Sequence, residues 1–209
     1  MSNISIAISE SAYDFEHIVW PVIAEHMGGG RIIPVETVTD TVFTKELDTL
    51  AGVDAWHVIS NGMGMTGIAS RVQWRFRNGD RSRPAFTGDG YATFTIRWHT
   101  AHGGKTEIDK RSYAIMKDHG DVLYPAWTVQ AYMEEPKGEF LSGAIIKTRE
   151  LILAAIKYGD RFPLKPAPGG NMFKAFPWSW LNGQASSLVV INGDRTPSEQ
   201  PWLFNGCSP

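Results

Sequence analysis

The sequence predicts an α/β protein built as a single domain, a central mixed sheet flanked by helices, and three observations carry that prediction. Its 209 residues lie near the size at which one hydrophobic core still grows without splitting. Two segments, 11–27 and 148–158, repeat apolar residues at helical spacing, and two others, 68–77 and 91–98, alternate apolar with polar residues as half-buried strands do. Helical and strand periods interleave along one chain, which favours a layered α/β arrangement over an all-α or all-β one. The core spans about 11–160, and a turn-rich, aromatic C-terminal extension covers 161–209.

The first helix, Ser11 to Met27, carries Phe15, Ile18, Val19, Val22, Ile23 and Met27 on its apolar stripe. Ser11 serves as N-cap and Gly28-Gly29-Gly30 as the stop. Pro21 has no N–H and clashes one turn back, so the segment is either kinked there or divided into two helices. Arg31 to Val35 is a short β-branched run that reads as a strand. Val53 to Ile59 reads as another, and Ser60-Asn61-Gly62-Met63-Gly64 supplies the residues of a hairpin connection.

The strand that follows is the most informative segment. Ile68, Val72, Trp74 and Phe76 project to one side, and Arg71, Gln73, Arg75 and Arg77 to the other. Tyr91 to Trp98 repeats the pattern, with Phe94, Ile96 and Trp98 against Thr93, Thr95 and Arg97. As neighbouring strands the two would pool their arginines. Thr106 to Met116 reads as a helix capped by Thr106, with the return strand of a Gly103-Gly104 hairpin as the second reading. Trp127 to Met133 is a strand, and Thr148 to Tyr158 a helix that buries Leu151, Ile152, Ala155 and Ile156 and ends at Gly159. Pro163, Pro166, Pro168, Gly169 and Gly170 mark an extended connector. Phe173, Phe176, Trp178 and Trp180, then a strand from Leu188 to Ile191, then Trp202 and Phe204, form a tail whose aromatic area favours packing back onto the domain.

Composition excludes several classes. A hydrophobic content of 43% with 20% charged residues is that of a folded chain rather than a disordered one. Cys207 is the only cysteine, so neither an internal disulfide nor a paired-cysteine metal site can form, and a reducing, cytoplasmic setting is expected. No long apolar run predicts a membrane span. The formal charge of −2 says little about partners, because charge distribution matters more than its sum. Between residues 71 and 83, Arg71, Arg75, Arg77, Arg81 and Arg83 face a single acid, Asp80. Such a cluster is the electrostatic footprint of a nucleic-acid or phosphate surface, to which Arg97 would add.

Glu16 on the first helix, Asp54 ahead of a strand and the row Arg71, Gln73, Arg75 combine oxygen ligands suited to Mg²⁺ with cations suited to a phosphate. Glu16 also reads as a solvated helix residue, and Asp54 as a turn residue bonding backbone amides. Glu107 reads either as a further acidic ligand or as a member of an i,i+4 ion pair. The histidines at 17, 26, 57, 99, 102 and 119 show no metal-motif spacing.

On Glu16, the run Leu47-Asp48-Thr49-Leu50-Ala51-Gly52-Val53-Asp54-Ala55 and Gly67-Ile68-Ala69-Ser70-Arg71-Val72-Gln73, the sequence resembles the PD-(D/E)XK nuclease superfamily from about Ser11 to Met133. The resemblance implies a restriction-endonuclease-like core: a helix, then a hairpin carrying a metal-binding aspartate, then an (E/D/Q)-x-K triplet. It assigns the metal ligands to Glu16, Asp54 and Gln73, the cofactor to Mg²⁺, and stabilisation of the phosphorane to Arg71 or Arg75. The chain departs from the pattern. Ala69-Ser70-Arg71 as the triplet has no acidic ligand, and Gln73-Trp74-Arg75 replaces lysine by arginine, which cannot surrender a proton near neutral pH.

The resulting expectation is a Mg²⁺-dependent nuclease acting on DNA or RNA, with Asp54, Gln73, Arg71 and Arg75 catalytic and Arg71, Arg75, Arg77, Arg81, Arg83 and Arg97 binding nucleic acid. Two alternatives stay open: a non-catalytic nucleic-acid- or protein-binding domain of the same fold, and a viral or phage-type structural or carbohydrate-binding protein, suggested by the eight tryptophans. Assembly into a homo-oligomer is also left open.

Overall fold

The computed structural model describes residues 10–35, 52–59, 64–76, 82, 84–85, 92–117 and 123–192. Helix α1 (10–27) opens the described chain. It is already helical at residue 10, so Ser11 lies inside it and is not the N-cap. The Pro21 problem is solved without a break. Trp20 N–H reaches back five residues to Phe15 O, so one wide turn precedes the proline and the helical path continues. Gly28 ends the helix at φ 84°, with its N–H on the carbonyls of Ala24 and Glu25, a left-handed cap that glycine adopts without Cβ strain.

Strands β1 (Arg31–Pro34), β2 (Ala55–Val58) and β3 (Met65–Trp74) form an antiparallel meander. Pro34 is tolerated because β1 is the sheet edge. The chain then leaves this sheet for β4 (Thr93–His99) and helix α2 (Glu107–Lys117). It returns as β5 (Trp127–Met133), which lies parallel to β3. Strand β6 (Phe140–Lys147), helix α3 (Thr148–Tyr158), strands β7 (Leu164–Pro166) and β8 (Met172–Pro177), the short helix α4 (Trp178–Leu181) and β9 (Val189–Asn192) complete the order. The result is a mixed six-stranded sheet, β1-β2-β3-β5-β6-β9, and a three-stranded sheet, β4-β8-β7. Among the described residues no helix is long and apolar enough to cross a membrane.

The larger sheet is the middle layer. On one face, Ile68, Val72, Trp74, Val129, Ala131, Met133 and Ile145 pack against Phe15, Val19 and Ile23 of α1. On the other, Tyr132, Ala144 and Ile146 meet Phe94 and Ile96 of β4, Ile108 of α2, Leu151 and Ile152 of α3, and Phe176 and Trp178 of the C-terminal segment. The sheet is therefore flanked by a helix on one side and by a second sheet with helices on the other. β4 is not a sheet neighbour of β3, as its alternation suggested, because its ladder partner is β8. Phe176, Trp178 and Trp180 of the aromatic tail pack inward as its composition implies, while Trp202 and Phe204 lie outside the described residues.

Two details correct local expectations. Ile156 is exposed and Ala154 takes its place on the buried face of α3. Gly159 follows the helix at φ −56°, so no left-handed cap requires glycine there. A Cβ at that position would come within 2.7 Å of the Trp98 ring, and it is this close approach that excludes larger residues.

Asp14 is fully buried, accepting from Trp74 Nε1–H at 2.7 Å and from the Lys137 N–H at 3.0 Å. Burial raises its carboxyl above the usual 3.8, against the lowering effect of those two hydrogen bonds. A raised folded-state pKa gives a contribution fully present below the unfolded value and lost as pH rises through the folded one. Asp14→Asn removes that titration, so its melting temperature relative to the parent protein should be more favourable at pH 7 than at pH 4, as paired melts would show.

Candidate functional site

A polar cavity of about 210 Å³ opens between the two sheets, on the face of the larger sheet opposite α1. Ala69 and Arg71 of β3 and Thr128 and Gln130 of β5 form its floor, since period-two alternation sends these residues to the side facing β4 and α2. Thr95 and Arg97 of β4, and Lys105, Glu107, Lys110 and Arg111 in and before α2, form the walls. Asp54 and Gly52 close one end. Gly52 has φ +65° and runs past the Arg111 guanidinium, where an added Cβ would stand 3.7 Å from Nη2.

Asp54 is held by three bonds between strands. Its N–H donates to Ile68 O at 2.8 Å, its carbonyl accepts from Val35 N–H at 2.9 Å, and its Oδ2 accepts from Ser70 N–H at 2.6 Å. The side chain thus bonds across to β3 rather than closing a local turn.

Glu107 is the electrostatic centre of the cavity. Its Oε1 meets Arg111 Nη1 at 2.6 Å and its Oε2 meets Arg71 Nη2 at 3.0 Å, while Arg97 N–H donates to Oε2 at 3.3 Å. Burial pushes this carboxyl up, and the guanidinium groups of Arg111 and Arg71 outweigh burial, holding it below its ordinary 4.5. Arg71 also donates through Nη1 to Thr95 O at 2.7 Å and Thr95 Oγ1 at 2.8 Å. The Thr95 hydroxyl in turn donates to Gln130 Oε1 at 3.2 Å, and Gln73 Nε2 approaches it at 3.5 Å. The Gln130 Nε2 donor, buried at the cavity floor, has no partner among the described residues.

Helix α2 is locked in place by its first turn. Thr106 N–H and Oγ1–H both donate to Asp109 Oδ2, and Asp109 N–H donates back to Thr106 Oγ1, a reciprocal cap of the capping-box type. This settles the Thr106 segment as helix and starts it with Glu107 over the cavity.

The structure brings together some of the residues expected at a site and separates others. Asp54, Arg71 and Arg97 line the cavity. Arg71 and Arg97 converge from different sheets, their guanidinium carbons 5.2 and 5.6 Å from the Phe173 ring. Gln73 touches the network through Thr95 but is not a wall residue. Arg75 lies past the end of β3, 3.6 Å from Glu134 and over the Phe76 ring, so it is not part of the cavity. Glu16 sits on α1, packed on the opposite face, with His17 at 3.9 Å; of the expected ligand trio of Glu16, Asp54 and Gln73, Asp54 alone lines this cavity. Arg77, Arg81 and Arg83 lie outside the described residues, as do the Leu47–Ala51 stretch and the hairpin tip at 60–63.

Lys105, Arg111 and Gln130 were not singled out by the sequence. Glu107 and Arg111 do show an i,i+4 pattern there, but on a solvated helix that spacing has no functional meaning.

The lining carries five cationic side chains, Arg71, Arg97, Lys105, Lys110 and Arg111, against two carboxylates, Asp54 and Glu107. A surplus of three positive charges in a concave, partly desolvated site favours an anion. Among the described residues the cavity offers a Mg²⁺ ion few oxygen ligands. Both Glu107 oxygens are matched by arginine, and no three of His, Cys, Asp and Glu converge among the described residues. Among the described lining residues the other carboxylate is Asp54, whose Oδ2 accepts from the Ser70 N–H.

No protein-family model, no curated protein and no solved structure matches the chain.

Glu107→Gln should cost about 2–4 kcal/mol in denaturant unfolding at pH 7, because it leaves two largely buried guanidinium groups without their carboxylate. A lowered folded-state pKa gives stability present above the unfolded value and lost as pH falls through the folded one. The gap between parent and variant should therefore narrow below about pH 4.5.

Proposed function

We propose that this chain is a nucleic-acid-binding domain of restriction-endonuclease-like architecture whose cavity seats a backbone phosphate. The observation that carries the reading is the five-cation lining. Arg71 and Arg111 are committed to Glu107 and shape the wall, whereas Arg97 and Lys105 are exposed at its mouth and none of the ion pairs found among the described residues engages them. Exposed cations above a pre-organised positive wall suit a phosphate that arrives from solvent. The architecture supports the same reading. A helix precedes an antiparallel β1-β2-β3 meander, and a crossover containing α2 leads to β5 parallel to β3, with an aspartate at the head of the second strand.

The position of Asp54 favours a second reading, hydrolysis of the bound phosphodiester. It stands where the resemblance places a metal-binding aspartate, and it lines the same cavity as the cations. The departures from the family triplet, and a second carboxylate neutralised by arginine, make binding the primary conclusion.

Fluorescence anisotropy on labelled oligonucleotides in Ca²⁺ or without metal tests the binding. Affinity should fall steeply with salt, and the Arg97→Ala, Lys105→Ala double variant should lower the salt slope by about 1.4 to 1.8, the value for two phosphate contacts. Salt-independent binding, or none, would overturn the proposal in favour of a structural or carbohydrate-binding role. Gel assays with Mg²⁺ decide the second reading: cleavage reduced a hundredfold or more in Asp54→Asn, about 3 kcal/mol of transition-state stabilisation, makes the domain a nuclease.

A further inference from the structure

The exposed face of α2 continues the cavity's chemistry. Lys110, Tyr113 and Lys117 follow one another at spacings of three and four residues and so share one side of the helix. Lys110 lines the cavity, and so does Lys105, just before the helix. The Tyr113 ring is 49% exposed, with Lys105 Nζ 5.6 Å and Lys117 Nζ 4.9 Å from its centroid. Lys117 also hydrogen-bonds the phenol and lowers its pKa below the usual 10. The two carboxylates of the helix near this face are both engaged, Glu107 by Arg71 and Arg111 and Asp109 by the Thr106 cap. A lone surface tyrosine is ordinary. A tyrosine flanked by two ammonium groups, one of which also walls an electropositive cavity, has the composition of a single-strand platform: an aromatic face for a base and cations for the phosphates on either side of it.

We infer that α2 carries a second subsite for the cavity's ligand, in which an unpaired base stacks on Tyr113 while Lys105 and Lys117 hold the adjoining phosphates, so that the ligand is a single-stranded nucleic acid. The inference rests on the phosphate reading of the cavity. A base within a duplex has its faces covered by its neighbours and cannot use the ring, which makes the preference a consequence of geometry.

The test compares labelled oligothymidylate and oligouridylate of about 12 nucleotides with a duplex of the same length, using the full chain. Tyr113→Ala should weaken both single strands about 5- to 100-fold, the range for loss of one base–aromatic stack. It should leave duplex affinity and melting temperature unchanged, and Tyr113→Phe should keep parental affinity. Unchanged single-strand binding in Tyr113→Ala, or equal losses in the Ala and Phe variants, overturns the subsite. Arg97→Ala separates this failure from that of the cavity. If it weakens every probe while Tyr113→Ala weakens none, the cavity reading stands and the subsite falls. If Tyr113→Ala alone weakens single strands, the cavity reading falls, and if no probe binds, both fall.

Discussion

The clamp of Glu107 between Arg71 and Arg111 is the interaction on which the site's geometry depends. It joins β3 of the large sheet to the first turn of α2, and through Thr95 and the Arg97 amide it also reaches β4 of the small sheet. Isolating a carboxylate from water is costly, and here two guanidinium groups and a backbone amide offset that cost by meeting its oxygens from three directions. The clamp also fixes what the cavity can accept. With its acid matched inside the wall, the surplus charge at the mouth is positive, although the whole chain is formally −2. The sign that a ligand meets is set locally and not by the sum.

The large sheet was legible where its strands have one apolar and one polar face. The alternation in β3 identified Ile68, Val72 and Trp74 as core and set Arg71 on the opposite face, because a half-buried strand writes its orientation into every second residue. β6 has no such signature. Seven of its eight residues are buried, and a strand covered on both faces loses the period of two that identifies it. The second sheet was illegible for another reason. β4 announced itself as a strand, but its choice of β8 over β3 is a pairing made across about 80 residues, a non-local contact that no window of sequence contains.

The site divides in the same way. Asp54, Arg71 and Arg97 were identifiable because their types and positions are unusual for a strand. Glu107, Arg111 and Lys105 look like the charged face of any surface helix, and only the small sheet and the crossover turn that face toward the interior. Glu16 illustrates the opposite case. Its helix was read correctly and its neighbours are core residues, but the sheet stands between α1 and the cavity. In a layered protein a residue can be near a site in sequence order and on the wrong side of the central wall.

The wide turn ahead of Pro21 sets the phase of α1. Phe15, Val19, Trp20 and Ile23 all reach the core because the extra residue between Phe15 O and Trp20 N–H turns the second half of the helix back toward the sheet. An α-helix advances about 100° per residue. Ordinary α-helical winding of the same residues would carry Trp20, five positions after Phe15, about 140° around from it and away from the sheet, whereas the wide turn keeps it in phase. The helix therefore works as a screw with one slipped thread: the wide turn absorbs an extra residue, so that the residues before and after it share one buried stripe over the central sheet.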